Sequence, residues 1–169
     1  MRSVEFRGSP VELGPGCFNG CNILAEITLP DSIQIICEQA FSGCTGLEKI
    51  DLGNGLQSIE DYAFENCQSL KHICIPPTCI RISPLSMYQS SIQTMELPAP
   101  GNIEDLRFVT RLYSLRQITC PPSMSSNTRL RLDKLGCAGR VLVGKPGSSK
   151  VENNNARPTK GACACCMAK

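Results

Sequence analysis

The sequence contains no Trp, and aromatic residues make up only 5% of its 169 residues. This is a small aromatic content for a compact globule, so a layered repeat built on aliphatic residues explains the composition better. A strong excess of one charge is also missing, because the net charge is +2 and acidic and basic residues are mixed along the chain. This balance gives no reason to expect nucleic acid as a partner.

Long apolar runs are absent as well. The first residues, MRSVEFRGSP, hold no apolar segment of a secretory signal, and no stretch approaches the length of a membrane-spanning helix. We therefore expect a cytoplasmic chain, unless the sequence is a fragment of a longer protein. Without a visible secretory signal, the 12 Cys are expected to be free thiols and not a disulfide framework.

What the sequence does contain is a period of 23 residues. Independent columns of like residues share this step, which is very unlikely to happen by chance. The columns are Phe18, Phe41, Phe64 and Met87; Cys21, Cys44 and Cys67; Leu24, Leu47 and Leu70; and Ile36, Ile59 and Ile82. The period predicts a stack of similar turns, in which each turn buries its apolar side against the next.

A pair of apolar residues separated by one residue recurs in every turn. The step between pairs is 23, except for a step of 22 between Ile73 and Met95, where the lost residue falls between Met87 and Ile92. Each pair predicts a short parallel strand whose apolar side chains point inward and whose intervening residue points outward. The pairs are Val4/Phe6, Ile27/Leu29, Ile50/Leu52, Ile73/Ile75, Met95/Leu97, Ile118/Cys120 and Val141/Val143.

The full unit, seen in ITLPDSIQIICEQAFSGCTGLEK, resembles the BspA-like (treponemal-type) class of leucine-rich repeats. That class is marked by Ala-Phe-x-x-Cys-x-x-Leu before an Ile-x-Leu-Pro strand, and AFSGCTGL and AFENCQSL match it specifically. The resemblance implies a right-handed leucine-rich-repeat solenoid of about six turns over residues 1–143, degenerate after residue 87. Short parallel strands would line the concave face, with turns and 3₁₀ segments on the convex face.

The resemblance also implies a function. Members of this class are typically non-enzymatic surface or interaction proteins that bind other proteins. We therefore expect a protein-interaction module, with a fragment of a larger cell-surface adhesion protein as the alternative. Because the first predicted strand begins at Val4, no N-terminal cap is visible, and self-association through that uncapped turn is a further expectation.

The outward residues beside the first inward side chain of each strand would form the binding face of such a solenoid. They mix both charge signs with polar groups, so a solvated face without a ligand stays an equal alternative. The candidate partner-binding residues are Glu26, Thr28, Lys49, Asp51, His72, Cys74, Thr94, Glu96, Gln117 and Thr119.

Two features suggest chemistry but favour a simpler interpretation. His72, the only histidine, and Cys74 should project from one face of a strand, which permits a Cys/His nucleophile pair. No orienting third group or oxyanion donor is readable, and the wall is open to water, so we predict no enzymatic activity. The Cys21, Cys44 and Cys67 column is interpreted as buried packing, since laddered side chains run parallel. No cofactor or metal site is expected.

The composition changes at Gly144 to a stretch rich in Gly, Pro, Ser and Asn, which predicts a flexible tail over residues 144–169. The terminal Cys-Met-Ala-Lys resembles a C-a-a-X prenylation box, although Lys is not a usual last residue. Lipidation at Cys166, with Cys163 and Cys165 as acylation sites, would tether the chain to the inner face of a membrane. The alternative is a cysteine-containing tail without a membrane role.

Overall fold

The computed structural model describes residues 4–98, 103–123 and 126–143. The predicted tail, with its candidate lipidation sites Cys163, Cys165 and Cys166, lies outside the described residues. In chain order the elements are β1 (Glu12–Leu13), β2 (Glu26–Thr28), β3 (Ile35–Ile36), β4 (Lys49–Asp51), β5 (Ser58–Ile59), β6 (His72–Cys74), β7 (Arg81–Ile82), β8 (Thr94–Glu96), a 3₁₀ segment (Arg107–Arg111), β9 (Gln117–Cys120), α1 (Ser126–Lys134), a 3₁₀ segment (Ala138–Arg140) and β10 (Val141–Val143).

The strands that the apolar pairs predict form one wall of a parallel solenoid. β2 pairs with β4, and β6, β8, β9 and β10 pair in that order further along the same wall, with β4 lying beside β6. The register aligns Ile27 with Ile50 and Ile73 with Met95, so both the period of 23 and the single step of 22 are correct. The predicted solenoid fold is therefore confirmed.

One predicted strand is wrong. Residues 4–7 form no strand, although Val4 and Phe6 are half-buried and pack against the core. The hydrogen bonds of β2 run to β4 on its other side, so within the described residues no second ladder fixes the backbone at Val4. A turn with a neighbour on one side only lacks the interface that holds the inner turns of a stack.

A second parallel sheet follows the order β1-β3-β5-β7 and was not predicted. Its strands are only two residues long, and the register aligns Leu13, Ile36, Ile59 and Ile82. The Ile column of the repeat is therefore the inward side of this second sheet. The expectation of turns and 3₁₀ segments outside the first wall was incomplete, because it missed both this sheet and the helix α1 between β9 and β10.

In the segments that follow β1, β3 and β5 along the chain, neighbouring turns are joined by backbone hydrogen bonds. The N–H groups of Phe18, Phe41 and Phe64 donate to the carbonyls of the next turn at 2.8, 2.8 and 2.7 Å. The backbone at Gly20, Gly43, Asn66 and Gln89 is left-handed, with φ of 71°, 71°, 55° and 55°. Gly and Asn tolerate this conformation better than other residues, which explains why they occupy three of these four positions.

The core is a continuous ladder of the repeat columns. Phe18, Phe41 and Phe64 stack with ring centroids 5.1 and 5.3 Å apart and nearly parallel planes. Beside them, the Cys44 thiol donates to the Phe18 carbonyl at 3.0 Å, and the Cys67 thiol donates to the Phe41 carbonyl at 3.3 Å. Cys44 and Cys67 are buried and free, so they pack as small apolar residues, whereas Cys21 of the same column is free but only partly buried against the core.

The buried thiols predict that stability falls at alkaline pH. Burial raises the pKa of Cys44 to about 11 from its ordinary 9.0. A folded-state pKa above the unfolded value favours the folded state below pH 9 and loses that contribution as pH rises toward 11. Urea unfolding at pH 8 and pH 10 should show a loss of about 1 kcal/mol from this residue alone. In Cys44→Ala that part of the decline should vanish, and an unchanged pH slope would contradict the assignment.

Candidate protein-binding face

The outward side chains of β2, β4, β6, β8 and β9 form a single surface, here called the strand face. It contains all the predicted partner-binding residues, which the registers arrange in two files across the strands. One file is Glu26, Lys49, His72, Thr94 and Gln117, and the other is Thr28, Asp51, Cys74, Glu96 and Thr119. The structure therefore brings together the residues that the repeat pattern selected.

Burial alternates along β2, β4, β6, β8 and β9. None of the strand-face residues is buried, whereas Ile27, Ile50 and Ile73 between them are 4%, 8% and 0% exposed. Successive side chains of a strand point to opposite sides, so one apolar file faces the core and two polar files face outward. The core column fixes the position of the polar files, which makes the face a preformed surface.

Outward side chains of β6 and β8 contact each other, and two outward side chains of β9 are hydrogen-bonded within that strand. His72 Nδ1 lies 2.9 Å from Thr94 Oγ1, and His72 Nε2 lies 4.0 Å from Glu96 Oε1. Further along, the Gln117 side-chain amide donates to Thr119 Oγ1 at 3.2 Å. The contacts between β6 and β8 and the contact along β9 hold these side chains in defined positions.

The half of the strand face on β2 and β4 has more exposed charge. Asp51 accepts a hydrogen bond from the Gly53 N–H at 3.1 Å, which holds its carboxylate at the end of β4. Lys49 is exposed and, within the described part of the chain, makes no ion pair. An exposed ammonium group beside a held carboxylate can offer both charge signs to a partner.

His72 and Cys74 lie in different files of β6, as predicted. The two ring nitrogens of His72 face Thr94 and Glu96, and His72 is exposed to water on an open wall. This arrangement fits a contact surface, since a base that activates a thiol needs a ring nitrogen directed at that thiol.

Other kinds of site have little support in the described residues. No group of three or more His, Cys, Asp or Glu there could hold a metal ion. The sequence contains one Cys-x-x-Cys pair, Cys163 and Cys166, which has zinc-ligand spacing but lies outside residues 4–143. Within the same described ranges, no helix is long and apolar enough to cross a membrane.

Residues 1–111 match the sequence model of the BspA type leucine rich repeat region, in six copies. The chain belongs to the BspA-type leucine-rich repeat family. This confirms the resemblance carried by AFSGCTGL and AFENCQSL. Proteins of this family typically bind other proteins and are typically non-enzymatic.

Solved structures of bacterial repeat proteins share the fold of this BspA-type chain. A leucine rich cell surface protein from Faecalibacterium prausnitzii has a TM-score of 0.64 at 21% identity, over 75% of this chain and 33% of its own length. The pneumococcal vaccine antigen PcpA has a TM-score of 0.58 at 19% identity, over 86% of this chain and 42% of its own length. A leucine-rich repeat protein from Bacteroides ovatus has a TM-score of 0.52 at 20% identity, over 66% and 37%.

At these identities the likeness shows a shared fold only. The match covers 33–42% of the length of these structural relatives. Among curated proteins, none is significantly similar to the BspA-type chain.

Proposed function

We propose that the strand face binds a protein partner. The observation that carries this proposal is the arrangement of ten non-buried side chains in two files over a buried apolar file. A solenoid offers such a surface as an extended docking wall. The mixture of a held carboxylate at Asp51 and an exposed ammonium at Lys49 favours a partner with both charge signs.

We further propose that this binding takes place at the cell surface. A solved relative with the same fold is described as a leucine rich cell surface protein and another as a vaccine antigen. These descriptions favour the alternative of a larger surface adhesion protein, and the comparisons do not support the cytoplasmic expectation. Self-association through the first turn also stays a prediction. It is favoured by the apolar side chain of Ile23 near that end of the solenoid, which is 71% exposed.

Reversing two charges tests the strand face. We expect Lys49→Glu combined with Asp51→Lys to weaken partner binding at least about tenfold, or about 1.4 kcal/mol, because both contacts become repulsive. The melting temperature should stay the same, since both side chains are exposed. The partner is first captured from cell extract on the immobilised wild-type protein. Binding is then measured by titrating this partner onto each purified variant.

The matched control reverses two exposed charges on α1, Arg129→Glu with Asp133→Lys. This variant keeps the net charge of the chain and should bind as the wild type does. Equal weakening by the two variants would show that binding follows general electrostatics and would remove the strand face as the site.

The second candidate function is tethering to a membrane by the tail. It rests on the C-terminal sequence Cys-Met-Ala-Lys, which begins at Cys166 and resembles a prenylation box, and on the basic residues before it. If lipid holds the chain, Cys166→Ser should move it from the membrane fraction to the soluble fraction, as measured by fractionation and immunoblotting. Cys17→Ser is the control, because Cys17 is exposed but lies within the repeats. An unchanged distribution of the Cys166 variant would contradict lipid anchoring at that residue.

A further inference from the structure

A groove of ≈ 350 Å³ lies beside β7, on a different part of the solenoid from the strand face. Its buried floor includes Ser58, Ile59 and Ile82 from the second sheet. Its rim comes from residues where the second-sheet strands end and from the turn after β8, and includes Glu38, Glu60, Asp61, Arg81, Glu104 and Asp105. We call this feature the β7 groove.

The β7 groove runs along the open edge of a sheet. The second sheet ends at β7 within the described residues. In the preceding turns the carbonyls of Leu13, Ile36 and Ile59 each accept an N–H from the following turn, at 3.0, 3.0 and 2.9 Å. The equivalent carbonyl, that of Ile82, accepts no backbone N–H from the described residues. An open edge acceptor of this kind can pair with an added extended segment.

The reason for the opening lies in the turn after β8. The Glu104 N–H still donates to the Ile80 carbonyl at 2.9 Å, so the stack begins a further pairing. Asp105 then accepts hydrogen bonds from the Arg107 backbone and side chain, both at 2.8 Å, and the chain enters the 3₁₀ segment Arg107–Arg111. No strand forms at Glu104 and Asp105, so within the described residues the sheet has no fifth strand after β7.

The groove is rich in acidic side chains that have no partner among the described residues. Asp61 bonds to Ser83 and Asp105 to Arg107, but Glu38, Glu60 and Glu104 form no side-chain hydrogen bond or ion pair with the described residues. The lining of the groove therefore contains five carboxylates and a single basic side chain, that of Arg81. The Ser58 hydroxyl, in a residue only 9% exposed, also makes no hydrogen bond with the described residues. This hydroxyl lies on the lining of the groove and is open to a ligand that donates or accepts a hydrogen bond.

We propose that the β7 groove binds an extended, lysine-rich peptide segment of another protein, which adds to the edge of β7. Its backbone N–H would donate to the Ile82 carbonyl, and its ammonium groups would lie against Glu38, Glu60 and Glu104. The Ser58 hydroxyl would accept a further donor at the floor. This site is separate from the strand face, so the two proposals can fail independently.

The test uses a capped eight-residue peptide of alternating Lys and Val, titrated by calorimetry onto the full chain. We expect saturable binding that weakens at least fivefold between 50 and about 200 mM salt, because exposed charge pairs are screened. Glu60→Gln combined with Glu104→Gln should weaken binding about tenfold. Methylating alternate backbone nitrogens of the peptide should also abolish binding, because this removes the donor for Ile82.

Two controls test whether binding depends on the charge of the peptide and on the β7 groove. A Glu/Val peptide of the same length should not bind, and the strand-face variant Lys49→Glu with Asp51→Lys should bind the Lys/Val peptide as the wild type does. Circular dichroism would show that the Gln variant stays folded. No binding at 1 mM peptide, or equal binding by the Gln variant, would overturn the proposal. A dimer of the protein that dissociates in the Gln variant would overturn it too, by assigning the groove to a second copy.

Discussion

Phe41→Ala should lower the free energy of unfolding by about 3–5 kcal/mol, the usual cost of removing a buried ring. Phe41 is fully buried and lies between two other rings, with centroids 5.1 Å from Phe18 and 5.3 Å from Phe64. Its removal leaves a cavity in the middle of the stack and breaks two ring contacts. The loss is measured by urea unfolding followed by circular dichroism.

Two comparison variants show whether the loss arises from the column. Phe41→Leu keeps most of the volume and should cost clearly less. Tyr113→Ala removes a ring that is 71% exposed and should change stability by no more than about 0.5 kcal/mol. A loss below about 1 kcal/mol for Phe41→Ala would mean that the Phe column does not support the core.

Gly55→Ala should be comparably damaging, although it adds a single carbon. A Cβ at Gly55 would lie 1.8 Å from the Asp31 carbonyl oxygen of the preceding turn. The obstructing atom is backbone, so the two turns must move apart, and we expect a loss of at least about 3 kcal/mol, at the upper end of overpacking costs. The measurement is the urea midpoint of the purified variant.

Gly14→Ala is the matched control, because a Cβ there meets no atom within 4 Å. Its backbone is not left-handed, so the added methyl group should leave the urea midpoint nearly unchanged. If both Gly variants unfold at the wild-type midpoint, the turns are not packed as closely as the structure shows.

The parts of the fold that follow directly from the repeat could be predicted from the sequence. Ile27, Ile50 and Ile73 mark the core file of the first wall because an apolar-x-apolar pair every 23 residues has one physical solution, a stacked strand. The same alternation predicts the position of the strand face, including Lys49 and Asp51, from the sequence alone. The lost residue near Ser90 was also readable, since the later columns keep their period.

Other features depend on backbone contacts, which cannot be recognised from the repeat columns of the sequence. The second sheet has strands of two residues, too short for any alternation to appear, and only its Ile column was visible. Gly55 occupies the repeat position of Ser32 and Thr78, so its approach to the Asp31 carbonyl follows from the local path of the turn. The β7 groove adjoins the contact between Asp105 and Arg107, which involves no residue of the repeat columns.

Site-specific photo-crosslinking can show whether partners bind on the strand face. A photoreactive residue is placed at Thr28, which is exposed beside Asp51, and in a second variant at Arg129 on α1. Each variant is irradiated in the presence of the native partner, and the crosslinked product is weighed by mass spectrometry. We predict a covalent complex from position 28 and none from position 129. Crosslinking from position 129 alone would contradict the strand face as the binding site.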